Sequence, residues 1–215
     1  MKKNYLKIIF VIDESGSMQG TESDVIGGFN SFIEQQKRQD YGKIDVTLYK
    51  FSDDCSKIFN DLPLNEIRPL GNKDYSPGGL TALYDTIGIA INQADKHINH
   101  LKQEYKPDMV MMVIITDGQE NASREYSTHT VNQLIQGHEK NENWQFIYLG
   151  ADLSNFSDAD DLGIRYRASS QKSNLQEKFD TVSKHTAFFR QANLMENRES
   201  MFENFMDDLE DDGDK

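Results

Sequence analysis

Two stretches decide the fold: Lys7–Asp13, KIIFVID, and Met109–Asp117, MVMMVIITD. Each is an almost unbroken apolar run that ends in an aspartate. A half-exposed strand alternates apolar and polar residues. A short run without alternation marks a strand covered on both faces, as in a parallel sheet.

The segments around these runs supply the covering helices. Thr21 to Asp40 reads as a helix. Thr21 and Asp24 resemble a capping box, and Val25, Ile26, Phe29, Phe32 and Ile33 fall on one face. Ile44–Phe51 reads as a strand, with Asp45, Thr47 and Tyr49 opposite Val46, Leu48 and Phe51. Cys55–Leu62 follows after a tight turn, so the pair is expected to form a hairpin and an antiparallel edge. A long loop, Pro63–Gly79, invites a functional role. Leu80, Leu83, Ile87, Ile91, Ala94, Ile98 and Leu101 then keep helical spacing. Further helices are expected at Thr128–Lys140, after Asp152 and at about Ser173–Arg190. Further strands are expected at Trp144–Leu149 and Ile164–Ala168. The alternation predicts an α/β fold: a doubly wound, mostly parallel, Rossmann-like sheet with one antiparallel edge strand and helices on both faces.

The 215 residues suit one domain, and 37% hydrophobic residues suffice for one core. Asp plus Glu number 36 against 23 Lys plus Arg, a net charge of −13. That excess argues against nucleic acid or an anionic membrane as partner, because phosphates demand a basic stripe. The longest apolar run is far too short to span a bilayer. Cys55 stands alone, which forbids an internal disulfide and points to a reducing, cytoplasmic compartment. Asp207–Lys215 carries six acids and one lysine. A domain over 1–190 and an acidic tail over 191–215 are therefore expected. Met201, Phe202, Phe205, Met206 and Leu209 give that tail the spacing of an amphipathic interaction helix.

Open α/β sheets carry their sites beyond the carboxyl ends of the strands, where the winding reverses. Asp13 and Asp117 arrive at that edge. After Asp13 come Ser15 and Ser17, with Gly16 between them letting the backbone turn. Thr81, following Gly78-Gly79, is placed to add a further hydroxyl. Five oxygen-bearing residues, Asp13, Ser15, Ser17, Thr81 and Asp117, can thus converge. Glu120, Asn121 and Asp152 are expected to be solvated loop residues.

Asp13-x-Ser15-x-Ser17 after a buried strand, Gly78-Gly79-Leu80-Thr81-Ala82-Leu83 before a helix and Thr116-Asp117-Gly118 after a second buried strand resemble the von Willebrand factor type A domain. The resemblance covers roughly residues 5–190. It is closer still to small intracellular bacterial and phage members, including those linked to tellurium resistance, which also share a segment like Phe146–Ala151. All three parts of the family's metal-ion-dependent adhesion site (MIDAS) are present in order. The resemblance implies that Ser15, Ser17 and Thr81 hold Mg²⁺, or Mn²⁺ in its place, with Thr81 acting through water in one state. Asp13 and Asp117 would orient waters and hydroxyls around the ion. An open position on the metal would then take an Asp or Glu carboxylate from a partner protein. A hydroxyl set also favours hard cations over Zn²⁺.

Two rival readings use the same residues. A Mg²⁺-dependent phosphatase or hydrolase would use Asp13 and Asp117, but position 15 lacks the second acid and the motifs offer no general acid or base. A self-assembling structural component would use the tail of one copy to cap the metal of another. His97 and His100, three apart on a helix, read as a solvated face rather than metal ligands. No phosphate-loop, dinucleotide or nucleophile-elbow motif is present. The expectation is a binding module rather than an enzyme.

Overall fold

A computed structural model describes residues 4–39, 42–140, 143–150, 156–169 and 175–192. Six strands and five α-helices follow in the order β1 (Leu6–Asp13), α1 (Glu22–Lys37), β2 (Ile44–Phe51), β3 (Cys55–Pro63), α2 (Leu83–His100), β4 (Met109–Thr116), α3 (Thr128–Glu139), β5 (Trp144–Gly150), α4 (Phe156–Leu162), β6 (Tyr166–Ser169) and α5 (Leu175–Ala192). They form one sheet of order β3-β2-β1-β4-β5-β6. Every adjacent pair is parallel except β2–β3, so the expected antiparallel edge is present.

The alternation of side chains along each strand divides the core in two. Leu6, Ile8, Phe10 and Ile12 of β1 join Met109, Met111, Val113 and Ile115 of β4 on the face covered by α1 and α5. Ile9 and Val11 join Val110, Met112 and Ile114 on the face covered by α2, α3 and α4. Both faces exclude water, which is why β1 and β4 read as continuous apolar runs. Phe10 meets Phe29 and Phe32 edge-on, at 5.3 and 5.1 Å between centroids. Each such pair adds roughly 0.5–1.5 kcal/mol beyond simple burial. Helix α1 approaches α5 so closely that a Cβ on Gly28 would lie 2.2 Å from the Phe179 ring.

Several local expectations are corrected. Thr21 precedes α1, but its hydroxyl donates to Met18 O at 2.7 Å and makes no cap to the helix, so the capping box does not form. Phe51 shares a face with Tyr49 under α2, not with Val46 and Leu48, because strand parity places 49 and 51 together. Leu80 fits the helical spacing of the segment after it, yet it lies outside α2 and is 50% exposed. Asp152 and the tail beyond Ala192 lie outside the described residues.

The sheet's winding reverses between β1 and β4, its two central strands. Their parallel register, Leu6 with Met109 through Ile12 with Ile115, brings both carboxyl ends to the same level. The site is built there.

Candidate metal site

Three segments meet at this edge. The first leaves β1 at Asp13 and makes a single 3-10 turn, Gly16–Met18. Asp13 is fully buried, and each of its carboxylate oxygens is engaged. Oδ1 accepts the Ser15 N–H at 2.7 Å, and Oδ2 accepts the Thr116 hydroxyl at 2.6 Å. The Ser15 and Ser17 hydroxyls lie 2.9 Å apart, and Ser17 Oγ donates to Asp117 Oδ1 at 2.7 Å. The 3-10 turn that follows Ser15 thus brings the two serine hydroxyls together.

The second segment brings Thr81, which is 3% exposed. Gly16 N–H donates to Gly79 O at 3.0 Å, and Gly78 N–H to Glu14 O at 2.8 Å, so the loop is sewn to the first segment. Gly79 sits at φ +83°, and a Cβ there would lie 2.1 Å from Asp53 Oδ2; both conditions call for glycine. The N-cap of α2 is Ala82, without a side-chain cap. Thr81 is instead held by its main chain: its N–H donates to Asn121 Oδ1 at 2.8 Å, and its carbonyl accepts from Asn121 and Ala122.

The third segment follows β4. Asp117 is 8% exposed, and Gly118 lets the chain pass close to the other two segments. The place where a Cβ on Gly118 would sit lies 2.9 Å from Thr81 Oγ1, 3.0 Å from Ser17 Oγ and 3.4 Å from Asp13 Oδ2. One oxygen from each of three side chains, contributed by two separate segments, therefore surrounds a point that the glycine leaves free. With Ser15 and Asp117 hydrogen-bonded into the same cluster, all five predicted residues are brought together.

The electrostatics suit a cation. Burial pushes the Asp13 carboxyl above its ordinary range; hydrogen bonds from Thr116 and Ser15 pull the other way, and the nearby Asp117 charge pushes it up further. Positive charge among these groups would offset the cost of burying two carboxylates together. The donor set is hydroxyl and carboxylate oxygen, the chemistry of Mg²⁺, Mn²⁺ or Ca²⁺ ligation. Among the described residues, no group of three or more His, Cys, Asp or Glu side chains is placed to hold a metal ion. His97 reaches toward Asp61 at 3.6 Å, while His100 bonds Lys96 O, so the two histidines have separate partners.

Glu120 is only partly exposed, and Asn121, although an exposed loop residue, accepts the Thr81 N–H, so both are tied into the site rather than merely solvated. Glu120 Oε1 accepts from the N–H groups of Ala122 and Ser123, and Oε2 from the Tyr84 N–H and the Ser123 hydroxyl. Asp85 receives the N–H groups of Arg124, Glu125 and Tyr126. These two carboxylates lock the Thr81 segment to the loop after β4. Tyr75 also escapes the motif reading; its hydroxyl donates to Asp13 O at 2.6 Å. A carboxylate whose work is to bind backbone N–H groups distant in sequence leaves no local signal.

No protein-family model matches the chain, and no curated protein matches it in sequence. Solved structures do. The chain is similar to the PilB minor pilin from Streptococcus sanguinis, with 15% identity and a TM-score of 0.61 over 84% of this chain and 60% of the pilin. It is similar to the von Willebrand factor domain of the type V pili tip protein Mfa5 from Porphyromonas gingivalis, with 13% identity and a TM-score of 0.57 over 85% of this chain and 95% of that one. It also resembles proximal thread matrix protein 1 from the mussel byssus, solved with a zinc-occupied MIDAS motif, with 18% identity and a TM-score of 0.53 over 84% of this chain and 45% of that one. The chain thus spans 60% of the pilin's length and less than half of the mussel protein's. At these identities the likeness concerns the fold, which is that of the von Willebrand factor type A domain.

Proposed function

We propose that this chain is a metal-dependent protein-binding module that captures an Asp or Glu carboxylate of a partner protein through a bound divalent ion. The observation that carries the reading is the convergence of Thr81 Oγ1, Ser17 Oγ and Asp13 Oδ2 on the space beside Gly118. Ser15, Ser17 and Thr81 would hold the ion through their hydroxyls. Asp13 and Asp117 would keep those hydroxyls and the surrounding waters oriented, as their hydrogen bonds to Ser15 N and Ser17 Oγ support. Mg²⁺ is the ion we favour, with Mn²⁺ as its substitute, because the ligands are hard oxygens. Largely neutral ligands leave the ion positive enough to draw in a carboxylate at an open position. The exposed Ser17 marks the side from which it would arrive.

A hydrolytic role is the weaker reading. Asp13, the candidate nucleophile, is wholly buried with both oxygens hydrogen-bonded. The context we favour is a cytoplasmic bacterial or phage stress, defence or assembly complex, on the resemblance to small intracellular members of the family. Among the described residues, no helix is long and apolar enough to cross a membrane. Self-association, with the acidic tail of one copy supplying the carboxylate to another, rests on the sequence of residues 201–210 alone.

The test is affinity capture from the native host with the wild-type chain in Mg²⁺, the wild-type chain in chelator, and Asp117→Ala in Mg²⁺. The proposal expects a partner retained only in the first. A partner held equally in all three would overturn it.

A further inference from the structure

Lys178 is a buried charged side chain close to the metal site. It lies in the first turns of α5 and is 3% exposed, and its Nζ donates to Gly150 O. Gly150 is the last residue of β5 and pairs in register with Thr116, the last residue of β4. The ammonium therefore sits at the carboxyl edge of the sheet, on the strand beside the one that delivers Asp117. The faces agree as well. Met109, Met111, Val113 and Ile115 of β4, Ile147 and Leu149 of β5, and Leu175, Phe179 and Val182 of α5 share one cluster, so α5 covers the β4 and β5 ends from that side.

Burial of an ammonium is costly, and it pushes the Lys178 pKa down to about 8. The Asp117 charge opposes that shift, so the two groups are electrostatically linked. A lysine that only filled space here would be better replaced by an apolar residue.

We propose that Lys178 is an internal counter-cation of the metal site: it balances the buried Asp117 carboxylate when no ion is bound, and it weakens ion binding by competing for the same negative charge. The inference rests on the metal-site reading above. Its consequence has a sign that structural damage would not produce. Removing an ordinary supporting residue loosens a metal site, whereas removing Lys178 tightens this one. The chain can then fold without metal and take up or release the ion, and with it a partner, without holding it permanently.

The test follows free Mn²⁺ by electron paramagnetic resonance during titration of the full chain. Wild type is compared with Lys178→Met, Lys178→Gln and Lys178→Arg. Glutamine keeps an N–H donor but carries no charge, so it isolates the loss of charge and covers the case in which methionine fails to fold. Loss of one charge–charge repulsion at a partly buried site should tighten binding by roughly ten-fold. Methionine and glutamine variants should both show it, while arginine should match wild type. Weaker or unchanged affinity in the glutamine variant would overturn the proposal. Absence of Mn²⁺ uptake by the wild type would instead overturn the metal-site reading itself.

Discussion

Glu120 Oε2 accepts the backbone N–H of Tyr84 at 2.9 Å, and the same carboxylate binds Ala122 and Ser123 of its own loop. One side chain therefore fixes the start of α2, which carries Thr81 just before it, against the loop that begins at Asp117. Glutamine has one carbonyl oxygen where glutamate has two, so it cannot accept all four hydrogen bonds. Glu120→Gln is expected to lower stability by about 2 kcal/mol, the scale of a charged hydrogen bond, and to weaken Mg²⁺ binding about ten-fold. Denaturant unfolding in chelator and a metal titration check the two effects separately. Full metal affinity in a destabilised protein would make Glu120 a purely structural residue.

Gly118→Ala is the more local perturbation. The added methyl would lie 2.9 Å from Thr81 Oγ1 and 3.0 Å from Ser17 Oγ, in the space where the oxygens converge. Gly118 is not among the glycines at positive φ, so the main chain accepts alanine. The substitution should abolish the rise in melting temperature with Mg²⁺ concentration that binding to the folded state produces. Gly118 is buried and the methyl crowds both hydroxyls, so in chelator the loss of stability should be about 1–3 kcal/mol, the scale of overpacking. A variant that still gains stability from Mg²⁺ as wild type does would place the ion elsewhere.

The fold was legible because β1 and β4 are buried on both faces, and continuous runs such as KIIFVID arise only under that condition. The convergence of the five residues was legible because short-range spacing places Ser15 and Ser17, because the ends of the two central strands are set by the sheet's topology, and because Thr81 follows the Gly78-Gly79 loop. What the sequence hid was the bracing. Asp85, Glu120 and Asn121 act on N–H groups about 40 residues away, and nothing in the pattern of nearby residues encodes such pairing. Leu80 misled for the opposite reason. Its spacing matches the apolar stripe of α2, but the loop that presents Thr81 holds it clear of the helix.

Packing between α1 and α5 gives a test of the fold itself. A Cβ on Gly28 would meet the Phe179 ring at 2.2 Å, and that ring lies in the core beside Phe10. Gly28→Ala should cost about 1–3 kcal/mol through overpacking, despite alanine's better helix propensity. Thermal unfolding would show it. A stabilised variant would mean that α1 and α5 do not approach as described.

His185 governs part of the acid response. It is buried beside Gln145, and burial pushes its pKa down from 6.5 to about 4. The unfolded chain takes up this proton first as the pH falls, so stability is complete above about pH 6.5 and declines toward pH 4. The loss attributable to His185 is about 3 kcal/mol across that window. His185→Gln cannot titrate, so the difference in unfolding free energy between variant and wild type should shift in the variant's favour by that amount between pH 7.5 and 4. A difference that stays constant with pH would show that His185 is not held neutral by the fold.

The central claim is most directly tested by calorimetric titration of Mg²⁺ into the wild-type chain and into Ser17→Ala, Thr81→Ala, Asp117→Ala and, as a control, His97→Ala. The account predicts one ion per wild-type chain, the same for the histidine variant, and at least ten-fold weaker binding for the other three. Equal uptake by wild type and Asp117→Ala, or no uptake by wild type, would contradict it.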